Sequence, residues 1–460
     1  MLDLYDTNLN WRSNKKNEET SSKKNVPLLR DKPGTKQWNS SEYIRLKDKL
    51  YQNVGPTDKL YQRVGLSDKL YQHVGPTDKL YQRVGLSDKL NHVRRNISDG
   101  AKDTVSSRVN NVVFLKLHKS ASTTVQNIFL RYGFFRNLSF VLPRPPGYYW
   151  RNVISLNDTV TKRNILPPPK NRTFNILCSH VIYNRTVFRS LMPQNTKFIG
   201  IIREPRAQFM STLKYVQPHE VLDSGGDPLE NYLKNPRRYE SLDPRQSLTN
   251  NRMAVEFGFP LKLFQTRNSS EIQQYIQKLD KEFDLVILVE KIEESLILMK
   301  RILGWNIRDI IYITQNKNEK KDSRFNWTNE TERRFHAWNY IDIELYNYFK
   351  TKMYQRILEA GETLQQEVAY FRWVLRQIQK FCADNRGTSP LSFKRSKWSE
   401  PFKVFLYDCW LLRMDEITFH DFLRIRQYPE YPHIDHELSA ELQRHFESIY
   451  LRHSKNFNSR

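Results

Sequence analysis

The chain has 460 residues, 38% hydrophobic and 27% charged, and its 74 basic against 50 acidic side chains leave a net charge of +24. This supports a globular core in two or three domains and a surface that attracts anions: nucleic acid, anionic membrane, sulfated glycan or nucleotide cofactor. Three cysteines, Cys178, Cys382 and Cys409, exclude a disulfide-dense scaffold, and the lack of any CxxC spacing argues against a zinc or redox motif.

Residues 1–47 are polar, rich in Lys, Asn, Ser and Glu, and are expected to be disordered. Residues 48–92 hold a decapeptide repeat, Asp-Lys-Leu-Tyr-Gln-x-Val-Gly-[Pro/Leu]-[Thr/Ser], with units starting at Asp48, Asp58, Asp68 and Asp78 and a degenerate fifth from Asp88. Ten residues are too few for a familiar solenoid unit, and the recurring glycine interrupts a continuous helix. We read the repeat as a semi-flexible stem, at most roughly 150 Å long when fully extended. Nine Asn-x-Ser/Thr sequons, at Asn39, Asn96, Asn137, Asn157, Asn171, Asn184, Asn268, Asn326 and Asn329, lean toward the secretory pathway. No signal peptide and no apolar run of 18 residues is found, so the expectation is either a soluble cytosolic protein or one whose N-terminal anchor lies outside this sequence.

The globular region starts near Val109. Four stretches, Val112–Leu117, Phe174–Ser179, Lys197–Ile202 and Phe283–Val289, are apolar on both faces, as buried parallel strands are. Cys178 then reads as a small core residue, and a Cys382–Cys409 pair is left open. Helical periodicity follows or separates the strands: Val125, Ile128, Phe129 and Tyr132; Phe209, Leu213 and Val216 behind Pro205; and Glu293–Leu303. The alternation implies an α/β sheet. Beyond residue 330 the pattern is helical, with one stripe at Phe335, Trp338, Ile341, Leu345 and Tyr348 and another at Leu364, Val368, Phe371, Leu375 and Ile378. The last eighty residues are poorly patterned.

Between the first strand and the first helix lies Leu115-Lys116-Leu117-His118-Lys119-Ser120-Ala121-Ser122-Thr123-Thr124. Backbone N–H groups at a helix start, two lysines and several hydroxyls make a cradle for phosphate or sulfate. A nucleotide-hydrolysing P-loop needs G-x-x-x-x-G-K-[ST], and no glycine occurs from Asn111 to Arg131. ATP or GTP hydrolysis is therefore disfavoured. A second cradle is Arg203-Glu204-Pro205-Arg206-Ala207-Gln208-Phe209-Met210-Ser211, where an arginine ends a strand and a serine lies two turns into the next helix. Two anion sites at strand carboxyl ends belong on the ligand edge of an open α/β sheet, and a ligand with two anionic ends would bridge them.

The pair resembles the 5′-phosphosulfate and 3′-phosphate loops of sulfotransferases that use 3′-phosphoadenosine 5′-phosphosulfate. Phe114-Leu115-Lys116-Leu117-His118-Lys119-Ser120-Ala121-Ser122-Thr123-Thr124-Val125 is similar to the galactose-3-O-sulfotransferase family. Supporting stretches are Phe174-Asn175-Ile176 with His180 and Asn184, Asn251-Arg252-Met253 through Phe257-Gly258, Phe283-Asp284-Leu285-Val286 through Glu290, and Glu294-Ser295-Leu296 through Trp305. The likeness covers roughly residues 110–350, weakens toward 425 and is absent from 1–100. It implies a P-loop-like sulfotransferase fold: a central parallel sheet flanked by helices over 108–350, a helical C-terminal extension over 351–460, and the disordered and repeat-bearing stem before them.

The resemblance also implies sulfuryl transfer from that donor to the 3-hydroxyl of a terminal galactose on a glycolipid or glycan, in a lumenal Golgi membrane enzyme with no metal requirement. Lys119, assisted by Lys116, would stabilise the leaving phosphate. His118 is the first choice for general base, and His180 the second, either as base or to orient the sugar. Ser120, Ala121, Ser122, Thr123 and Thr124 would line the 5′ phosphosulfate, and Arg203 and Ser211 would hold the 3′ phosphate. The basic loop Asn316–Arg324 is either a closure over the nucleotide or a solvated loop. Two alternatives stay open: an O-sulfotransferase acting on heparan-type chains, and a non-catalytic polyanion-binding protein using the repeat.

Overall fold

A computed structural model of the chain describes residues 108–144, 152–216, 225–241, 243–313, 325–384 and 389–428. The N-terminal stretch 1–47, the repeat 48–92, the sequons at Asn39 and Asn96 and the loop Asn316–Arg324 lie outside those residues. Their architecture turns on a short parallel sheet. In chain order, β1 (Val112–Phe114) leads into α1 (Ser122–Phe135), β2 (Ile176–Leu177), α2 (Arg185–Leu191), β3 (Lys197–Ile202) and α3 (Pro205–Val216). Then follow α4 (Pro228–Lys234), α5 (Arg252–Glu256), α6 (Leu261–Thr266), α7 (Ser269–Glu282), β4 (Leu285–Leu288), α8 (Ile292–Leu303) and α9 (Ile307–Ile310). The order ends with α10 (Asn329–Trp338), α11 (Tyr340–Ala383), β5 (Leu391–Phe393), β6 (Phe402–Val404), α12 (Leu406–Arg413) and α13 (Glu416–Gln427).

The sheet order is β2-β1-β3-β4 and every pairing is parallel, with Val112 opposite both Ile176 and Lys197 and Ile199 opposite Leu285. All of β1, β2 and β4 is buried, and β3 is buried from Phe198 on. This is the both-faces-covered environment expected of apolar runs in a parallel sheet. The ladders are shorter than the apolar runs. β1 stops at Phe114 rather than Leu117, although Leu115 N–H still reaches the Ile199 carbonyl at 2.8 Å. Lys116 and His118 therefore sit in the loop after β1.

The chain leaves β1 for β2 on one side and returns to β3 on the other. The strand order thus reverses between β1 and β3, the crevice in which open α/β sheets bind ligands. The loops after β1 and β3 meet at that crevice.

The first C-terminal stripe is broken. Phe335 and Trp338 belong to α10, and Ile341, Leu345 and Tyr348 to α11, with Asn339 between them. The Asn251 side chain accepts from the N–H groups of Ile341 and Asp342 at 2.8 and 3.1 Å, so a residue 90 positions upstream caps the new helix. α11 continues past residue 350 to Ala383 with a kink at Gly361, where φ is 60°, so the division expected at 350/351 falls inside a helix. The expected helical extension also holds an antiparallel pair, β5 with β6, whose Phe393 and Phe402 rings stack at 4.5 Å. Cys382 and Cys409 form a disulfide with Cα atoms 5.4 Å apart, and Cys178 is free and buried.

Candidate active site

The turn after β1 is built around two left-handed residues, Lys119 (φ 56°) and Ala121 (φ 52°). Ala121 is the N-cap of α1, and no side chain caps the helix there. The first turn holds no acidic residue. Backbone N–H groups at this start therefore face outward with the positive end of the helix dipole. Two of the expected donors are spent on the turn itself: the Ser120 hydroxyl donates to the His118 carbonyl at 3.2 Å and the Ser122 hydroxyl to the Leu117 carbonyl at 2.5 Å. Both residues are buried. Of the four hydroxyls expected to face an anion, those of Ser120 and Ser122 thus bond the loop's own carbonyls, while Thr123 is exposed and Thr124 half-buried.

The loop after β3 lies beside the first. The Arg203 guanidinium donates to the Lys119 carbonyl at 2.9 Å. Here the helix start is occupied: the Glu204 carboxylate accepts from Arg206 N–H at 3.0 Å and Ala207 N–H at 2.7 Å. Along α3, the Gln208 amide donates to the His118 carbonyl at 3.3 Å, and the Tyr215 ring lies 4.2 Å under the Lys119 ammonium. Ser211, half-buried, lies at helical spacing between them, on the face turned to the first loop. Burial, then Arg203 and Lys116, hold the Lys119 pKa below its ordinary value. Burial lowers Arg203 too, against the opposing pull of Glu290 and Glu204. Cations converge here in a half-buried crevice, a setting that favours an anionic ligand.

His118 and His180 come together. Their rings stack with centroids 3.8 Å apart. Glu256, at the end of α5 and buried, accepts the His118 backbone N–H at 2.8 Å through Oε2 and bonds His118 Nδ1 through Oε1. Arg252, also buried, reaches Oε1 at 3.3 Å. Burial pushes the Glu256 carboxyl up, but the charges of His118 and Arg252, the His118 hydrogen bond and the nearby His180 hold it well below the usual carboxylate range. Glu256 is thus an anion, His118 Nδ1 is its donor, and Nε2 has no partner among the described residues. Just past α5, Gly258 lets the chain run against Tyr183: its φ is 74° and a Cβ there would sit 2.2 Å from the Tyr183 carbonyl oxygen.

His180 differs. Its Nδ1 donates to the Lys116 carbonyl at 3.1 Å, and burial, then His118 and Lys116, push its pKa down to about 3. It stays neutral and is a weak proton acceptor, which suits an orienting role better than that of base. His118, His180 and Glu256 each bring one ligand atom within 4.8 Å of the others, a spacing a metal ion could use. In this structure both Nδ1 atoms are already engaged by Glu256 and the Lys116 carbonyl.

Lys116 is not placed to touch a ligand directly. It is 1% exposed, pairs with Glu416 Oε2 at 3.0 Å and donates to Thr123 Oγ1 at 3.1 Å. The sequence reading missed both carboxylates. Glu256 lies inside the Asn251–Gly258 stretch already noted, a usable signal. Glu416 lies in the poorly patterned tail, with no signal at all.

The sequence model of the galactose-3-O-sulfotransferase family matches residues 81–404. The chain is 31% identical over 282 residues to galactosylceramide sulfotransferase of Homo sapiens, covering 60% of this chain and 64% of that protein. It is 29% identical over 287 residues to galactose-3-O-sulfotransferase 2 of Homo sapiens, covering 61% and 69%. It is 26% identical over 342 residues to galactose-3-O-sulfotransferase 3 of Mus musculus, covering 69% and 78%. The chain therefore spans less than two thirds of the first of these relatives.

Proposed function

The chain belongs to the galactose-3-O-sulfotransferase family, and on that premise we propose that it transfers the sulfuryl group of 3′-phosphoadenosine 5′-phosphosulfate to the 3-hydroxyl of a terminal galactose on a glycolipid or glycan. The observation that carries this reading is the contact between the two cationic loops: Arg203 on the Lys119 carbonyl, beside an uncapped helix start. A ligand with a charged group at each end fits that pair of cradles better than a single phosphate does. Thr123, Thr124 and the first N–H groups of α1 would hold the phosphosulfate end; Arg203 and Ser211 would hold the 3′ phosphate.

In the reaction, His118 Nε2 takes the proton of the galactose 3-hydroxyl. The freed oxygen bonds to sulfur as the bond from sulfur to the phosphate oxygen breaks. The products are the sulfate ester and adenosine 3′,5′-bisphosphate, with the proton left on His118. Glu256 fixes the His118 tautomer and stabilises the imidazolium that forms, the role a buried carboxylate plays behind a catalytic histidine. Lys119 stabilises the charge gathering on the leaving phosphate. Most of the acceleration comes from positioning and charge stabilisation, as in phosphoryl transfer.

Two observations fit a lumenal location, which the same reading expects. Cys382 and Cys409 are joined, as happens in oxidising compartments, and the seven sequon asparagines among the described residues are all exposed. No described helix is long and apolar enough to cross a membrane. The test is incubation of the full chain with radiolabelled donor and a panel of β-galactosides, their 3-O-methyl derivatives and heparan-type chains. Label on the free galactosides and none on the methylated ones is the expected result. Label on heparan chains alone would replace galactose with a glycosaminoglycan as acceptor.

A further inference from the structure

The family match ends at residue 404, yet a helix twelve residues later reaches the centre of the site. α13 begins at Glu416, whose carboxylate meets the buried Lys116 ammonium 300 residues upstream. One turn on, His420 takes the Ser179 hydroxyl at 2.8 Å through Nε2, next to His180, while its Nδ1 donates to the Glu416 carbonyl at 2.7 Å. The helix is anchored at its far end too: Gln427 accepts from Phe140 N–H at 2.7 Å and donates to the Phe140 carbonyl at 3.2 Å. α12 is held to α1 by Asn127, which donates to the Leu411 carbonyl at 2.9 Å, and to α11 by the Cys382–Cys409 bond.

We propose that Glu416 is a positioning residue for the donor site: it fixes Lys116, and Lys116 in turn orients the Thr123 hydroxyl toward the phosphosulfate. The argument is one of directions. The Lys116 ammonium donates to Thr123 Oγ1, so that oxygen acts as acceptor on its inner side. Its own hydrogen is then free to point outward from the exposed first turn of α1, where no side chain competes for it. Without a carboxylate beside it, a lysine 1% exposed would be an uncompensated buried charge and would turn away toward water. Thr123 would then lose its fixed orientation. Glu416 Oε2 supplies that carboxylate, and Oε1 is buried with no partner among the described residues. Among the described residues Lys116 is thus the one ion-pair partner of Glu416. A helix beyond the family match completes the first anion cradle from below.

The inference rests on the proposed reading, and the experiment separates the two. Full-length wild type, Glu416→Gln and the double variant Lys116→Met with Glu416→Leu are compared for transfer at varied donor and acceptor. Each is also tested for binding of adenosine 3′,5′-bisphosphate and for melting temperature. Glu416→Gln should lower kcat/KM for the donor about ten- to a hundred-fold and leave the acceptor KM unchanged. The double variant puts apolar groups of similar volume where the pair was, which often restores stability. It should melt near the wild type yet remain at least about ten-fold impaired toward the donor. Wild-type donor kinetics in either variant would overturn the inference while leaving the proposed function standing. So would equal losses for donor and acceptor that track the melting temperature. A wild type that neither transfers label nor binds the bisphosphate would overturn the proposed function, and the inference with it.

Discussion

The loops after β1 and β3 are the same device with opposite endings. Each leaves the carboxyl edge of a buried strand and opens a helix. In the first, Ala121 sits at the cap position and no side chain covers the helix start; in the second, Glu204 covers it with two hydrogen bonds. A helix start that is capped by its own carboxylate repels an anion, so an anion at the second loop would need a side chain instead, and Arg203 is the one we propose. The difference teaches that the anion preference of a strand-turn-helix unit depends on what caps it, not on the unit itself. On the proposed reading it also divides the labour: the first loop would carry the reacting end, the second the remote one.

The largest effect that would test this division is on the base. His118→Ala should lower kcat about 10²- to 10⁴-fold with little change in donor KM; a large rise in donor KM with kcat retained would contradict the division. Next, Ala121→Asp should make the first loop resemble the second. Aspartate tolerates the left-handed conformation, would cap α1, and should cost about 10²-fold in donor kcat/KM without lowering the melting temperature. Unchanged donor kinetics would mean that the α1 start does not hold the anion.

Arg203→Ala should raise donor KM about ten- to a hundred-fold and leave the acceptor KM alone, as initial rates at varied substrate would show. The floor beneath the first loop sets an acid limit. His180 and His420 are buried neutral, with pKa values pushed down by burial to about 3 and about 4. The unfolded chain takes up protons on both below pH 6.5, so stability is full above that pH and falls as pH drops toward 4. At pH 5 His420 alone should account for about 2 kcal/mol of the loss. Urea midpoints should show a flatter slope between pH 6.5 and 4 for His420→Gln. The smallest effect is expected of Glu204→Ala: about 1 kcal/mol of stability from the lost cap, with donor KM near the wild-type value because Arg203 still faces the crevice.

The sequence by itself determined both loops, because each is local. Apolar runs set the strands, helical spacing set α1 and α3, Arg203 directly follows β3 and Lys119 lies in the short loop between β1 and α1. Chain order also made the sheet parallel. Tertiary structure alone decided what surrounds those loops. Glu256 stands 138 residues from His118 and Glu416 stands 300 from Lys116, and no periodicity links positions so far apart. The break between α10 and α11 was hidden for the same reason: the stripe from Phe335 to Tyr348 is continuous in sequence, and the Asn251 cap that divides it comes from another part of the chain. Spacing along the chain fixes which groups a loop carries, because neighbours share one backbone. It does not fix which groups are buried against one another, because that depends on how the elements close around the core. Lys116 illustrates the gap: its sequence neighbours suggest a ligand-binding lysine, and its burial against α13 makes it an internal one.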